Sequence, residues 1–322
     1  MARTMPVEVV WFGSVWYRFR MRASVCLWLL ILPFIGSSQT FLNEFPLREQ
    51  TRYFAFRFKG NPERVKEIAR FADGFIKVVN RDFFKVEFEF PIRVLVLENR
   101  AQFKQFLIRD LNIQDPPNFG VYLPGHKLFA TYEDSGLGTF THEIMHPLVE
   151  HDLKNRPVWA MEGIPTFFEK FYGYWKENEL VVFWGFQNPW RVAQIGTNLS
   201  QLDLSKIVSN RDLTTKLSSI ERTESDLRMA SLFLWREGRF KHFLKLITAG
   251  DKGEYKSYFE AAMGLPMKRI FPKWQDYLKE VADERKAIMS LPASTICRDE
   301  NEFRKFVQSN KLSLEQPNQQ SE

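Results

Sequence analysis

Phe recurs at every second position within 53–58, YFAFRF, putting Phe54, Phe56 and Phe58 on one face with the period of a strand. Asn61-Pro62 follows, a capping side chain with proline in the first helical turn. Val65, Ile68, Ala72, Phe75 and Val79 then recur at helical spacing and predict a helix to about Arg81. The run IRVLVL at 92–97 predicts a second strand, and 100–111 a second helix. Pro116-Pro117 breaks the chain, and strands over 119–123 and 128–132 flank Pro124-Gly125, a pair suited to a type II turn. The order β-α-β-α-β-β predicts a small mixed sheet with helices packed on it.

From 136 onward the periodicity is almost wholly helical: 137–151, 158–171, about 225–248, 254–262 and 267–287. The stretch 176–224 is polar and irregular, and the chain after Leu291 turns polar and ends in QPNQQSE, which predicts a disordered tail. The N-terminus has the pattern of an export signal. Arg18, Arg20 and Arg22 precede an apolar run over 23–35, and Gly36, Ser37 and Ser38 follow. That run is shorter than the roughly 20 residues that span a bilayer, so cleavage after Ser38 is expected; a membrane association follows only if the segment is kept. Translation from Met1 or from Met21 fits the leader. The expected organisation is a signal peptide over 1–38, an α/β lobe over 39–152, a helical lobe over 153–290 and a polar tail over 291–322, in a protein that is periplasmic or secreted.

Composition changes this picture in three places. The formal charge of +6 falls to +3 without residues 1–38, which carry four arginines and Glu8, and no Lys/Arg run exceeds two residues. Nucleic acid is therefore not an expected partner. Phe is overused, 31 of 322 residues, which points to a Phe-rich core, an aromatic groove being the alternative. Of the two cysteines, Cys26 lies in the leader, so Cys297 has no partner for an intramolecular disulfide in the mature chain.

The chemistry sits at 141–146, Thr-His-Glu-Ile-Met-His. On a helix, His142 and His146 project from one face a turn apart, and two imidazoles so placed can hold one Zn²⁺ per chain. Glu143 lies about 100° round the helix, too far aside to share their bite and near enough to reach a water beside the metal. Phe140, Ile144 and Leu148 form the opposite, apolar stripe, leaving the metal face open to a cleft. Glu150 and His151 continue the same helix, so a third ligand is expected from a new segment after a reversal. Asn155-Arg156-Pro157 supplies a plausible reversal, and the next stretch carries Trp159, Glu162, Gly163 and Glu169.

The stretch 141–169 resembles the gluzincin peptidases, HExxH enzymes whose third zinc ligand is a Glu on a following helix. It is most similar to small bacterial-type members with a Trp-x-x-Glu-Gly-x-Ala pattern, which Trp159, Glu162 and Gly163 match. The likeness extends loosely over about 50–285. The resemblance implies an α+β, zincin-like fold with a mostly helical C-terminal lobe. It also implies zinc held by His142, His146 and Glu162, and hydrolysis of peptide or protein substrates by metal-activated water with Glu143 as general base. Two alternatives stand beside it: an exported metallo-amidase acting on envelope material, and an inactive zinc-binding protein of the same fold. The metzincin pattern is excluded, because Val149 and Asp152 stand where it needs Gly and His. Pro147 and Pro165 depart from the family pattern, and a kink is expected at Pro147. The resemblance also implies an oxyanion-stabilising side chain, for which Arg228, Tyr172, Tyr174 and His242 are the candidates. The strand at 128–132 is the expected rail for an extended substrate. Glu169 is either a solvated helix end or a carboxylate orienting a metal-ligating His.

Overall fold

The computed structural model describes residues 10–11, 15–16, 45–85, 91–152, 158–196, 199–209, 217–250 and 255–318. The expected leader lies outside the described residues except for Val10–Trp11, which pairs antiparallel with Val15–Trp16. The expected reversal at 155–157 also lies outside them. No helix among the described residues is long and apolar enough to cross a membrane.

The chain forms two compact units, 1–73 with 88–135, and 74–87 with 136–322. The first is built on a five-stranded mixed sheet. Its strands are β1 (Leu47–Gln50), β2 (Phe54–Phe58), β3 (Ile92–Leu97), β4 (Val121–Leu123) and β5 (Leu128–Tyr132), in the order β1-β2-β3-β5-β4. The β2–β3 and β3–β5 pairs are parallel and the two outer pairs antiparallel. The parallel pairs require crossovers, and helices α1 (Pro62–Asp82) and α2 (Arg100–Leu111) lie in the two connections. Phe54, Phe56 and Phe58 alternate into the core as the period-2 pattern requires. Phe103, Phe106 and Leu107 of α2 pack with Leu95, Leu97, Val121 and Ala130.

Two expectations change here. Pro124–His126 forms a turn of 3₁₀ helix, and Lys127, not Gly125, takes the left-handed backbone at φ 45°. Strand β5 is hydrogen-bonded on both sides, so it has no free edge to serve as a substrate rail; β4 holds the edge instead.

The second unit contains the end of α1 together with helices α3 (Leu137–Asp152), α4 (Val158–Phe167), α5 (Pro189–Ile195), α6 (Leu204–Ser209), α7 (Leu217–Arg236), α8 (Phe240–Ala249), α9 (Tyr255–Met263), α10 (Met267–Asp283), α11 (Arg285–Met289) and α12 (Glu300–Ser309). A three-stranded sheet of β6 (Tyr172–Lys176), β7 (Glu179–Phe183) and β8 (Thr295–Cys297) runs in the order β8-β6-β7. The fold is therefore α+β, but the boundary differs from the one expected at 152: α3 belongs with α4. Both histidines and the downstream Glu thus sit in one unit.

The Phe excess goes into the core. Phe75, Phe83, Phe167, Phe168, Phe171 and Phe240 pack with Trp184 and Trp235 at ring-centroid separations of 4.1–6.5 Å, many of them edge-to-face, the arrangement aromatic quadrupoles favour. The expected helix over 225–248 divides at Gly238, whose φ of 70° is left-handed backbone that glycine adopts without strain, and where a Cβ would lie 2.5 Å from the Asn318 carbonyl oxygen.

The tail after Leu291 is not disordered through its described length. β8 pairs in parallel with β6, and Phe303 of α12 packs with Tyr172 and Cys297. The Gln316 side chain then accepts from Trp184 N–H at 3.2 Å and donates to its carbonyl at 3.0 Å, as a neighbouring strand would. The segment is polar overall but places its few apolar residues where the β6–β7 hairpin leaves a face to cover.

Candidate metal centre

Helix α3 carries His142, Glu143 and His146. Phe140, Ile144 and Leu148 are buried on its apolar stripe, each worth roughly 1.5–3 kcal/mol of transfer free energy. The helix runs through Pro147 to Asp152. Its first turn is seated against the turn that closes α4. A Cβ on Gly138 would lie 2.5 Å from the Glu169 carbonyl oxygen, so only glycine permits this approach. Thr141 Oγ1 donates to the Phe168 carbonyl at 2.8 Å. Helix α4 in turn packs on α7, with Leu227 3.1 Å from where a Gly163 Cβ would be.

This docking gathers the three expected ligands. One donor atom from each of His142, His146 and Glu162 lies within 4.8 Å of the other two. Glu162 Oε2 is 3.5 Å from His142 Nε2 and 3.9 Å from His146 Nε2. A tetrahedral Zn²⁺ with bonds of about 2.0–2.1 Å has ligand–ligand edges of about 3.3 Å, so small side-chain movements close the site. Two imidazole nitrogens and a carboxylate oxygen are a donor set suited to zinc, and the residues fit a bound metal ion. Glu143 Oε2 stands 3.7 Å from His146 Nε2, beside the group. His146 and Glu162 are wholly buried, whereas His142 and Glu143 retain 7% and 5% exposure. The face carrying both histidines is therefore buried rather than open to a cleft, and the little exposure that remains is at His142 and Glu143.

Glu169 is not a solvated helix end. Helix α4 stops at Phe167, and Glu169 lies in the closing turn, where its amide bonds back to Thr166. Its buried carboxylate meets His142 Nδ1 at 3.0 Å, which leaves Nε2 for the metal. Arg191 of α5 grips the same carboxylate through Nε (3.0 Å) and Nη2 (2.5 Å). Its Nη1 reaches Glu224 of α7 at 2.6 Å. Asn188, the N-cap of α5, donates to Glu169 Oε2 at 3.0 Å and accepts from the Trp190 N–H.

Electrostatics follow from this chain of contacts. Burial disfavours a charged His142, but the bonds to Glu162 and Glu169 and the Glu143 charge outweigh it and hold the group well above its usual pKa. Burial takes His146 the other way, to about 4, so it is a neutral donor at pH 7. Burial also opposes an ionised Glu169, yet Arg191 and His142 hold it far below the carboxylate range. Glu224 is pushed up by burial, against the pull of Arg191.

No protein-family model matches the chain, and no curated protein matches it significantly.

The remaining sequence candidates lie elsewhere. His151 is exposed near the end of α3. Tyr172 donates to the Pro292 carbonyl at 2.9 Å, and Tyr174 packs on Phe303 at 5.1 Å. His242 is half-buried on α8. Arg228 is buried, donates through Nη2 to the Phe186 carbonyl at 2.6 Å, and has Glu169, Arg191 and Tyr277 as its charged or polar neighbours. None of the four oxyanion candidates is in a described contact with the ligand group. Arg191, Glu224 and Asn188 escaped sequence reasoning because the stretch 176–224 has no long period. One signal was present: Asn188-Pro189 repeats the cap-plus-proline pair of Asn61-Pro62.

Proposed function

We propose that the chain is a zinc-dependent hydrolase of the gluzincin peptidase type, with His142, His146 and Glu162 as ligands and Glu143 as general base. The observation that carries this reading is the placement of the Glu143 carboxylate 3.7 Å from one ligand nitrogen, beside three ligand atoms that already converge. Zinc, when bound, lowers the pKa of a water toward about 7 and polarises a carbonyl. The chain's own residues do the rest. His146 is neutral and offers its lone pair. Glu169 holds the His142 ring through Nδ1 so that Nε2 faces the metal. Glu143, with one edge reaching solvent, accepts a proton from the attacking water at a carboxylate oxygen and returns it to the leaving amine. A peptide or protein is the substrate class that this acid–base pairing suits, and an exported protein is the expected setting.

Glu143→Gln tests the reading. The amide keeps size and reach but cannot take the proton, so the variant should fold and hold zinc while peptide hydrolysis falls about 10²–10⁴-fold. Digestion of a peptide library, zinc content and thermal stability are read on one preparation. Full activity with full zinc overturns the role of Glu143; lost zinc with lost activity makes it structural.

A further inference from the structure

Arg228 stands on α7, one turn beyond Glu224, and is 1% exposed. A guanidinium stays charged in proteins, and buried charges are normally paired. This one is not. Nη2 donates to the Phe186 carbonyl, while Nε and Nη1 have no hydrogen-bond partner among the described residues. The carboxylate to which it is electrostatically coupled is Glu169. That carboxylate has no room left: Oε1 receives His142 Nδ1 and Arg191 Nη2, and Oε2 receives Asn188 Nδ2 and Arg191 Nε. Four donors fill the roughly four lone-pair sites a carboxylate offers.

A second basic group lies within electrostatic reach, its pKa pushed down to about 7 by burial and by the Arg228 charge. Lys170 is 4% exposed, donates to the Pro292 carbonyl, and forms no described bond to a carboxylate. Gln187, next to the residue whose carbonyl holds Arg228, bonds to Tyr277 O–H at 2.8 Å through one amide atom and leaves the other buried without a partner. Reversing that amide lets Tyr277 donate and turns the open atom into an N–H. The cluster then offers open donors from Arg228 and Gln187 beside a carboxylate, Glu169, whose acceptor sites are all taken among the described residues.

We propose that Arg228, with Gln187 and Lys170 beside it, forms a buried site for a small monoanion, a halide or the carboxylate of a one- or two-carbon acid. The burial of Arg228 favours a small ion over a bulky ligand, and the open N–H groups supply the charge-assisted bonds that would hold it. The inference does not depend on the peptidase reading.

The test uses the zinc-loaded chain at constant ionic strength, with sodium chloride or sodium formate replacing the salt of a bulky sulfonate. A ligand bound only by the native state at about 100 times its Kd raises the folding equilibrium about 100-fold, a rise in Tm on the order of 5 °C. The wild type should show this saturable rise, and Arg228→Met should lose it at unchanged zinc content. A rise with both salts indicates a general small-monoanion site; a rise with formate alone assigns it to carboxylates. Wild-type crystals soaked in bromide should show anomalous scattering beside Arg228, a readout independent of how the variant folds. No anion dependence and no bromide peak in the wild type overturn the proposal and leave water on the open N–H groups. An equal rise in Arg228→Met overturns it too.

Discussion

Replacing Arg191 by Met removes the guanidinium that two buried carboxylates share while keeping most of the apolar stem. In the wild type Arg191 makes two bonds to Glu169, at 3.0 and 2.5 Å, and one to Glu224 at 2.6 Å. The three side chains are 7–9% exposed, so solvent cannot take over the pairing. Breaking a buried pair by removing one partner costs about 3–5 kcal/mol. The figure need not double for two carboxylates, because Glu224, already pushed up by burial, can take a proton and become neutral. Against a total stability of about 5–15 kcal/mol, Arg191→Met should remain folded at low temperature with a Tm roughly 10 °C lower. Glu169 would also lose the support that fixes it on His142 Nδ1, and loss of such an outer-shell partner weakens metal binding about 10–100-fold. Thermal unfolding measures the first effect and competition with a chromophoric chelator the second. Arg191→Lys should fall between, since one ammonium cannot reproduce the planar fork that serves both carboxylates. A variant within about 0.5 kcal/mol of wild type with undiminished zinc affinity would refute the network. Lowered stability with undiminished affinity would refute its link to His142.

Alanine at His142, His146 or Glu162 should sharply reduce zinc retention in metal analysis, whereas His151→Ala, on the exposed end of α3, should leave it unchanged. Gly138→Ala should destabilise the chain by about 1–3 kcal/mol and weaken zinc binding, because its Cβ would meet the Glu169 carbonyl at 2.5 Å; unchanged unfolding would mean that α3 is not seated on that turn. The Glu169 carboxyl is depressed on folding, so its contribution is present above the unfolded value of 4.5 and is lost as pH falls toward the folded one. The metal-free chain should therefore lose stability progressively below about pH 4.5. In Glu169→Gln that part of the acid slope should vanish, as followed by chemical unfolding at stepped pH.

Several features were legible because they are written within a few consecutive residues. The strand at 92–97 and the helix at 100–111 match their periods residue for residue. The HExxH spacing alone puts His142 and His146 on one helical face, and the ring centroids lie 5.0 Å apart. Helix α5 and strand β8 span only seven and three residues, too few to show a period, and α12 hid in a segment whose average polarity resembles a tail. The support of the site is longer-ranged still. Glu169 meets His142 across 27 positions and Arg191 across 22, and nothing local distinguishes a charged residue that will be buried and paired from one that will face water. The sequence by itself determined which side of α3 carries both histidines and the alternation of the main strands, because a few neighbouring residues set both. The tertiary structure decided that Glu162 closes the ligand group, that Glu169 and Arg191 lock the first histidine, and that the last segment completes a sheet. Each of those depends on which desolvated charges and apolar faces find one another when the chain folds back on itself.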